Sequence, residues 1–382
     1  MAFFISHTMS GIYIHIPFCR SKCTYCDFYL ITNLNLIDKF TESLLKEIEL
    51  YSDEYKNITF DTIFFGGGTP SLIGAERIGK IIDKLKLNFN ISENCEVCIE
   101  ANPEDLYNSD IKSFRDAGLN RLSFGVQSFN NNELQFLTRN HTAEEALATI
   151  EQAKKYFDNI SIDLIYSLPG QTNEDLLKSL ETAIKTNVPH ISAYTLIFEK
   201  FTKLYTLLKN GKVIMNNENT EADMYRLVDN KLIGAGYSHY EISNFAKEGY
   251  ESRHNKKYWN YESYLGLGPS AHSFFNNKRF NNYRDIVKYN VMLAEGKIPI
   301  EDTYLLKPED NKKEFIMLAL RSSGVNFDRY REIIKSDFQI EFEKETETLI
   351  SNNLASKDTN KFSLTTEGYL LADEIVSKFF NK

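Results

Sequence analysis

Short apolar runs alternate with amphipathic helical patterns through the first half of the chain, and that alternation leaves few folds open. The strand candidates are GIYIHIPF (11–18), TIFF (62–65), CEVCIEAN (95–102), RLSFGVQS (121–128), ISIDLIYS (160–167) and HISAYTLIF (190–198). Between the first two, Ile37, Phe40, Leu44, Ile48 and Tyr51 recur at spacings of three and four, the stripe of a helix with one buried face. Another helix opens at Thr142 with Glu145 three residues on, a capping box ahead of ALATIEQAKKYF. Strand–helix units in series predict an α/β protein with a parallel sheet. Six units fall short of a full eight-fold barrel, so the expectation is a partial, TIM-like (β/α)6 barrel, with a doubly wound sheet as the alternative.

After residue 300 the pattern changes to three helical segments, a short strand KFSLT and a last helix TEGYLLADEIVSKFF. This predicts two domains, a barrel over 1–300 and a small winged-helix-like module over 301–382. Such modules often bind DNA, but this one carries 12 Lys and Arg against 16 Asp and Glu, and the whole chain has a net charge of -9. Acidity of this kind argues against a nucleic-acid partner. No run approaches the roughly 18 apolar residues of a membrane span. The opening MAFFISHTMS lacks Lys and Arg and breaks at Ser6 and His7, unlike a signal peptide, and reads as an extension ahead of Met9. Five cysteines, three of them crowded, fit a reducing cytoplasm better than a disulfide framework.

Those three, Cys19, Cys23 and Cys26, directly follow the first strand in a C-x3-C-x2-C loop. Three thiolates on a four-iron cubane leave one iron open for an exchangeable ligand. The alternative is a closed zinc site completed by His15 or Cys98. Gly66, Gly67 and Gly68 end the second strand, where they form either a tight turn or a close approach to a ligand. Glu100, Gln127 and Asp163 lie towards the ends of strands three, four and five. In a parallel barrel those ends converge on one mouth, where active sites sit. Cys95 and Cys98 point to opposite faces of their strand and read as buried small side chains.

YIHIPFC, GGGTP, RLSFGVQSF, DLIYSLPGQT and HNKKYW together resemble the radical S-adenosylmethionine superfamily, over nearly the whole chain. Within it they are most similar to the branch holding oxygen-independent coproporphyrinogen III oxidase and its sister group, the heme chaperones. The resemblance implies a [4Fe–4S] cluster on Cys19, Cys23 and Cys26, with S-adenosylmethionine on the open iron. It assigns Tyr13, Gly68, Thr69, Glu100, Gln127, Arg139 and Asp163 to the cofactor site. Tyr25 either packs on the adenine or simply fills the mouth.

The oxidase carries another cysteine two positions after the third ligand, where this chain has Phe28. Phenylalanine there is similar to the chaperones and implies heme binding and transfer to an acceptor, a respiratory protein being one candidate, with an electron donor for the cluster. The alternative is the oxidase activity, decarboxylation of coproporphyrinogen propionates. In HNKKYW, His254 is either an axial heme ligand or a structural hydrogen-bonding residue, Tyr258 a rarer ligand type, and Trp259 a surface to stack on a macrocycle or part of the core. His272 is a rival ligand.

Overall fold

The computed structural model describes residues 9–107 and 110–380; the extension expected ahead of Met9 lies outside them. Six strands pair in parallel and in chain order: β1 (Ser10–Ile16), β2 (Thr59–Gly67), β3 (Asn90–Ala101), β4 (Arg121–Gln127), β5 (Asn159–Tyr166) and β6 (His190–Thr195). A doubly wound sheet reverses direction at a switch point. These six strands do not, so they form the partial (β/α)6 barrel.

The sheet does not stop there. Beyond β6 it adds β7 (Ser238–Glu241) and β8 (Asn244–Ala246), with β8 antiparallel to β6. Beyond β1 it adds β9 (Tyr264–Leu267), parallel to β1, and then the antiparallel β10 (His272–Phe275), β11 (Lys278–Asn282) and β12 (Ile300–Leu305). The result is one twelve-stranded sheet with β12 and β7 at its open edges. Sequence patterning misses these outer strands because they are only three to six residues long and, in KRFNN and IEDTYL, polar as well. β12 is almost entirely exposed, so it carries no apolar alternation to read.

The helices do what their stripes predict. In the helix Ile37–Tyr55, Phe40, Leu44, Ile48 and Tyr51 are buried against the sheet, with Ile37 half-buried. Thr142 caps the helix Ala143–Ala153 through Glu145 N–H at 3.2 Å, and the Glu145 carboxylate accepts from Thr142 N–H at 2.8 Å. After β12 come helices Pro308–Leu320, Phe327–Ile334 and Glu343–Ser351, and a three-stranded wing of β13 (Val325–Asn326), β15 (Lys361–Leu364) and β14 (Ala355–Lys357). The expected last helix is two, Thr366–Leu370 and Ala372–Lys378. This module shares its core around Ile316, Tyr330, Phe338, Phe342 and Phe362 with Tyr261 and Phe274 of the larger unit. Arg279–Glu314 and Arg226–Glu367 ion pairs tie it to the larger unit. Among the described residues, no helix is long and apolar enough to cross a membrane.

Candidate cofactor site at the carboxyl end of the parallel strands

β1 delivers the chain into the cysteine loop, and the loop is closed at its base. Cys19 N–H donates to Ile31 O at 3.0 Å and Ile31 N–H to Pro17 O at 2.6 Å. Pairing of its two ends makes the loop compact. Further out, Thr24 N–H donates to Thr138 Oγ1 at 3.1 Å, and Leu204 N–H reaches Thr24 O at 2.9 Å. Residues following β4 and β6 therefore hold the loop from two directions.

Cys19, Cys23 and Cys26 are free, half-buried thiols that line one cavity of about 550 Å3. The ends of β2 to β6 supply the rest of its wall: Gly68 and Thr69, Glu100, Gln127, Asp163 and Tyr194. Arg139 and Tyr25 line it too. The convergence expected from the strand order is thus present.

The glycine bend has a steric cause. Gly67 has φ +112, and a Cβ on it would sit 2.7 Å from the His15 ring; a Cβ on Gly68 would meet Phe18 O at 2.6 Å. No other residue lets the β2 turn pass this close to the cysteine loop. Thr69 N–H then bonds Phe18 O at 2.7 Å, and Thr69 Oγ1 lies 3.3 Å from Cys19 Sγ. Asn102 Nδ2 donates to the same hydroxyl at 3.1 Å. Once Cys19 is a thiolate, the hydroxyl must be the donor to sulfur.

Arg139 is the hub of the opposite wall. Its guanidinium donates to Gly125 O at 2.9 Å, to Asn102 Oδ1 and to Cys23 Sγ at 3.6 Å, while its Nε is buried without a partner. Glu104 stands 3.9 Å away and is held by His141, whose Nδ1 is 2.7 Å from the Glu104 carboxylate and whose Nε2 is 3.1 Å from Val126 O. Asn102 closes the predicted third strand, whereas Glu104 and His141 lie beyond the strand ends. Their one sequence signal is proximity to Glu100 and Arg139.

Two predicted residues lie deeper. Tyr13 and His254 line a second cavity of about 260 Å3 inside the barrel, which shares Glu100, Asp163 and Tyr194 with the first. Tyr13 OH is hydrogen-bonded to His15 Nδ1 at 3.0 Å. His254 is fully buried on the helix Arg253–Trp259, with Nδ1 at 2.9 Å from Thr62 Oγ1 and Nε2 at 2.8 Å from Tyr258 OH. With both ring nitrogens engaged, this placement favours the structural alternative for His254 over the heme ligand.

The donor set fits a cluster better than a closed zinc site. A single zinc draws four ligands together. His15 and Cys98, the fourth ligands considered above, do not line the cysteine cavity. Among the described residues no three His, Cys, Asp or Glu side chains gather around one ion position. A cubane instead places each thiolate on a different iron, which suits three thiols spread round one cavity.

Burial sets the charge of the interior. Glu100 accepts Gly67 N–H at 3.2 Å, yet burial, reinforced by Asp163, pushes it up to about 8. Burial likewise takes Asp163 to about 6, and Glu47 and Glu241 to about 7. Such a carboxyl keeps in the fold a proton that the unfolded chain releases near 4.5, so stability is full below 4.5 and falls as pH rises through the folded value. His15 and His254, lowered by burial to about 4 and 3, act only below 6.5. The protein without cofactors should therefore show a Tm that falls between about pH 6 and about pH 9, with Glu100→Gln flattening the decline. A Tm that climbs over that interval contradicts the assignment.

Comparison with known proteins closes the identification. A model of the Radical SAM superfamily matches residues 13–183, and one of the HemN C-terminal domain matches residues 306–371. A Bacillus subtilis (strain 168) protein described as heme chaperone HemW is 35% identical, covering 98% of this chain and 100% of its own. The chain belongs to the HemW group of the radical SAM superfamily. A Lactococcus lactis HemW is 34% identical, with 97% of each chain covered. The structure described as Escherichia coli coproporphyrinogen III oxidase (HemN), a radical SAM enzyme, superposes with a TM-score of 0.83 at 22% identity, over 98% of this chain and 90% of that one, which shows the shared fold. Membership implies a [4Fe–4S] cluster and S-adenosylmethionine.

Proposed function

We propose that this chain binds heme and passes it to an acceptor protein in the cytoplasm. In this reading Cys19, Cys23 and Cys26 hold one [4Fe–4S] cluster, and S-adenosylmethionine takes the remaining iron. The observation that carries it is end-to-end similarity to heme chaperones. Phe28 agrees with it, standing where the oxidase has a cysteine.

When bound, cluster and cofactor supply one-electron chemistry, which needs an electron donor. The chain's own residues would position the cofactor. The main-chain carbonyls at Gly68 and Thr69 can accept from the amino group of its methionine end, their N–H groups being bonded to Ile16 O and Phe18 O. Glu100 and Asp163 offer carboxyl groups, Gln127 an amide and Arg139 a guanidinium that can hold a carboxylate. Tyr25 is suited to pack on the adenine. Tyr13 would act from below, through His15 and the neighbourhood of Glu100.

Heme titration of the anaerobically reconstituted protein, followed at the Soret band, tests the reading against a parallel assay for protoporphyrinogen formation. A saturable heme complex without turnover is expected; turnover of coproporphyrinogen without a heme complex would replace it with the oxidase. His254→Ala should keep the parent's Soret titration while costing about 2 kcal/mol of stability, through two buried partners left unpaired. Loss of heme binding with unchanged unfolding would restore His254 as the ligand.

A further inference from the structure

The rim of the cysteine cavity is apolar and open to solvent, which folding alone does not explain. Phe28 in the cysteine loop is 61% exposed; Ile197 and Phe201, in the segment after β6, are 64% and 100% exposed. Phe28 and Ile197 line the cavity. Phe201 lies in the segment that Leu204 N–H ties to Thr24 O, so it borders the cysteine loop. The backbone turns sharply at Phe201, with φ 70, a conformation that side chains other than glycine adopt at a cost. Beneath, Leu137, Ile165, Leu168, Leu196 and Leu204 pack together, with Tyr25 and Phe198 against them. The exposed side chains therefore stand on a packed base. Large apolar groups clustered in the open mark an interaction site.

Charge indicates the occupant. In a chain of net charge -9, residues 19–28 and 197–204 together carry four cations, Arg20, Lys22, Lys200 and Lys203, against two carboxylates, Asp27 and Glu199. Arg20 is paired with Asp105 at 2.7 Å. Lys22, Lys200 and Lys203 are exposed, and among the described residues none has an ion-pair partner. Asp27 and Glu199 line the cavity and the three lysines do not; an apolar platform with unpaired cations in its bordering segments, outside the cavity wall, suits a flat apolar molecule with carboxylates on its outer margin.

We propose that this rim is the landing surface for heme, with Phe28, Ile197 and Phe201 under the macrocycle and Lys22, Lys200 and Lys203 facing its propionates. The proposal rests on the heme-binding reading above and gives it a location, outside the cluster and continuous with the cofactor cavity. It also places the heme where an acceptor can reach it, rather than in the buried interior around His254.

The test titrates full-length, reconstituted protein with hemin and with hemin dimethyl ester, which lacks the two carboxylates. Ile197→Ser with Phe201→Ser should weaken both ligands about tenfold or more, as expected for apolar area returned to water. The variant Lys22→Gln with Lys200→Gln and Lys203→Gln should weaken hemin several-fold and leave the ester at the parent's affinity. Iron content per chain and far-UV circular dichroism should match the parent, since the substituted side chains are exposed. Parental affinity for hemin in both variants overturns the proposal. So does intact heme affinity with impaired transfer, which reassigns the rim to the acceptor. A parent that gives no Soret complex at all defeats the heme-binding reading itself, a different outcome from either.

Discussion

Cys23→Ala protein, reconstituted anaerobically with iron and sulfide, should remain nearly colourless, its iron falling from about four per chain to near zero. Cys19→Ala and Cys26→Ala should behave alike. The reason is the count of ligands. A cubane held by three thiolates already has one iron without protein sulfur, and removing a second leaves half the cluster unheld. The cavity's other candidates are carboxyls, Asp27 and Glu199 among them, with Glu100 held protonated to about 8; their hard oxygens are poorer ligands for an iron–sulfur core than the lost thiolate. The surroundings also favour sulfur that carries negative charge. Arg139 points N–H at Cys23 Sγ, and Thr69 Oγ1 sits 3.3 Å from Cys19 Sγ. Without metal, burial pushes the Cys19 thiol up to about 11, so its deprotonation depends on the iron that binds it. Cys95→Ala and Cys98→Ala supply the control, because those thiols lie buried on β3 outside this cavity. Both should retain the brown cluster. Iron retained without Cys23, or lost with Cys98, would show that the cluster is held elsewhere; a colourless parent with one zinc per chain would remove the cluster altogether.

The cysteine cavity was legible before any coordinates because it is built from strand ends. A parallel sheet brings the carboxyl ends of its strands together whatever the details of packing. Naming Glu100, Gln127 and Asp163 by their position in strands was therefore enough to bring them to the mouth. Depth along a strand is harder to read. Tyr13 starts in the middle of β1 and lines the second cavity rather than the one the cysteines line. His254 arrives from a helix held by Glu96 on β3 and Asp61 on β2, more than 150 residues away in the chain, and no local pattern announces such contacts. Pairs formed across the fold left no trace either: His141 and Glu104 are 37 residues apart. Their partnership is settled by where β3 and β4 place their following helices, not by anything local.

Glu47 is the extreme case of the same blindness, and its replacement should have the largest effect on stability. It occupies the buried face of the helix Ile37–Tyr55, between Leu44 and Ile48, where the amphipathic stripe predicts an apolar residue. Fully buried, it is surrounded by donors. Glu47 Oε2 accepts Gly268 N–H at 2.8 Å and Tyr289 O–H at 2.6 Å, and Oε1 accepts Asn282 Nδ2 at 2.5 Å. Asn282 also donates to Gly268 O at 2.9 Å. One carboxyl thus joins the helix after β1 to the β9–β10 turn, to the end of β11 and to the helix Ile286–Ala294. These are the segments that extend the sheet beyond the barrel. Burial raises Glu47 to about 7 despite three hydrogen bonds that favour the anion. Deleting it strands three donors in a dry interior, and each unsatisfied group costs about 1–3 kcal/mol. Their sum is not additive, and Glu47→Ala should lose about 3–5 kcal/mol in urea unfolding. Glu47→Gln keeps one acceptor but turns an NH2 group towards donors, and should fall between the two. The consequence reaches the site, because Gly268 packs against the His15 main chain, where a Cβ would meet His15 O at 2.4 Å, and β1 leads from His15 into the cysteine loop. Glu47→Ala should therefore also lower the yield of cluster on reconstitution. Parental stability in Glu47→Ala would mean that water or a rearranged Asn282 satisfies these donors, and that the outer strands are held by their ladder alone.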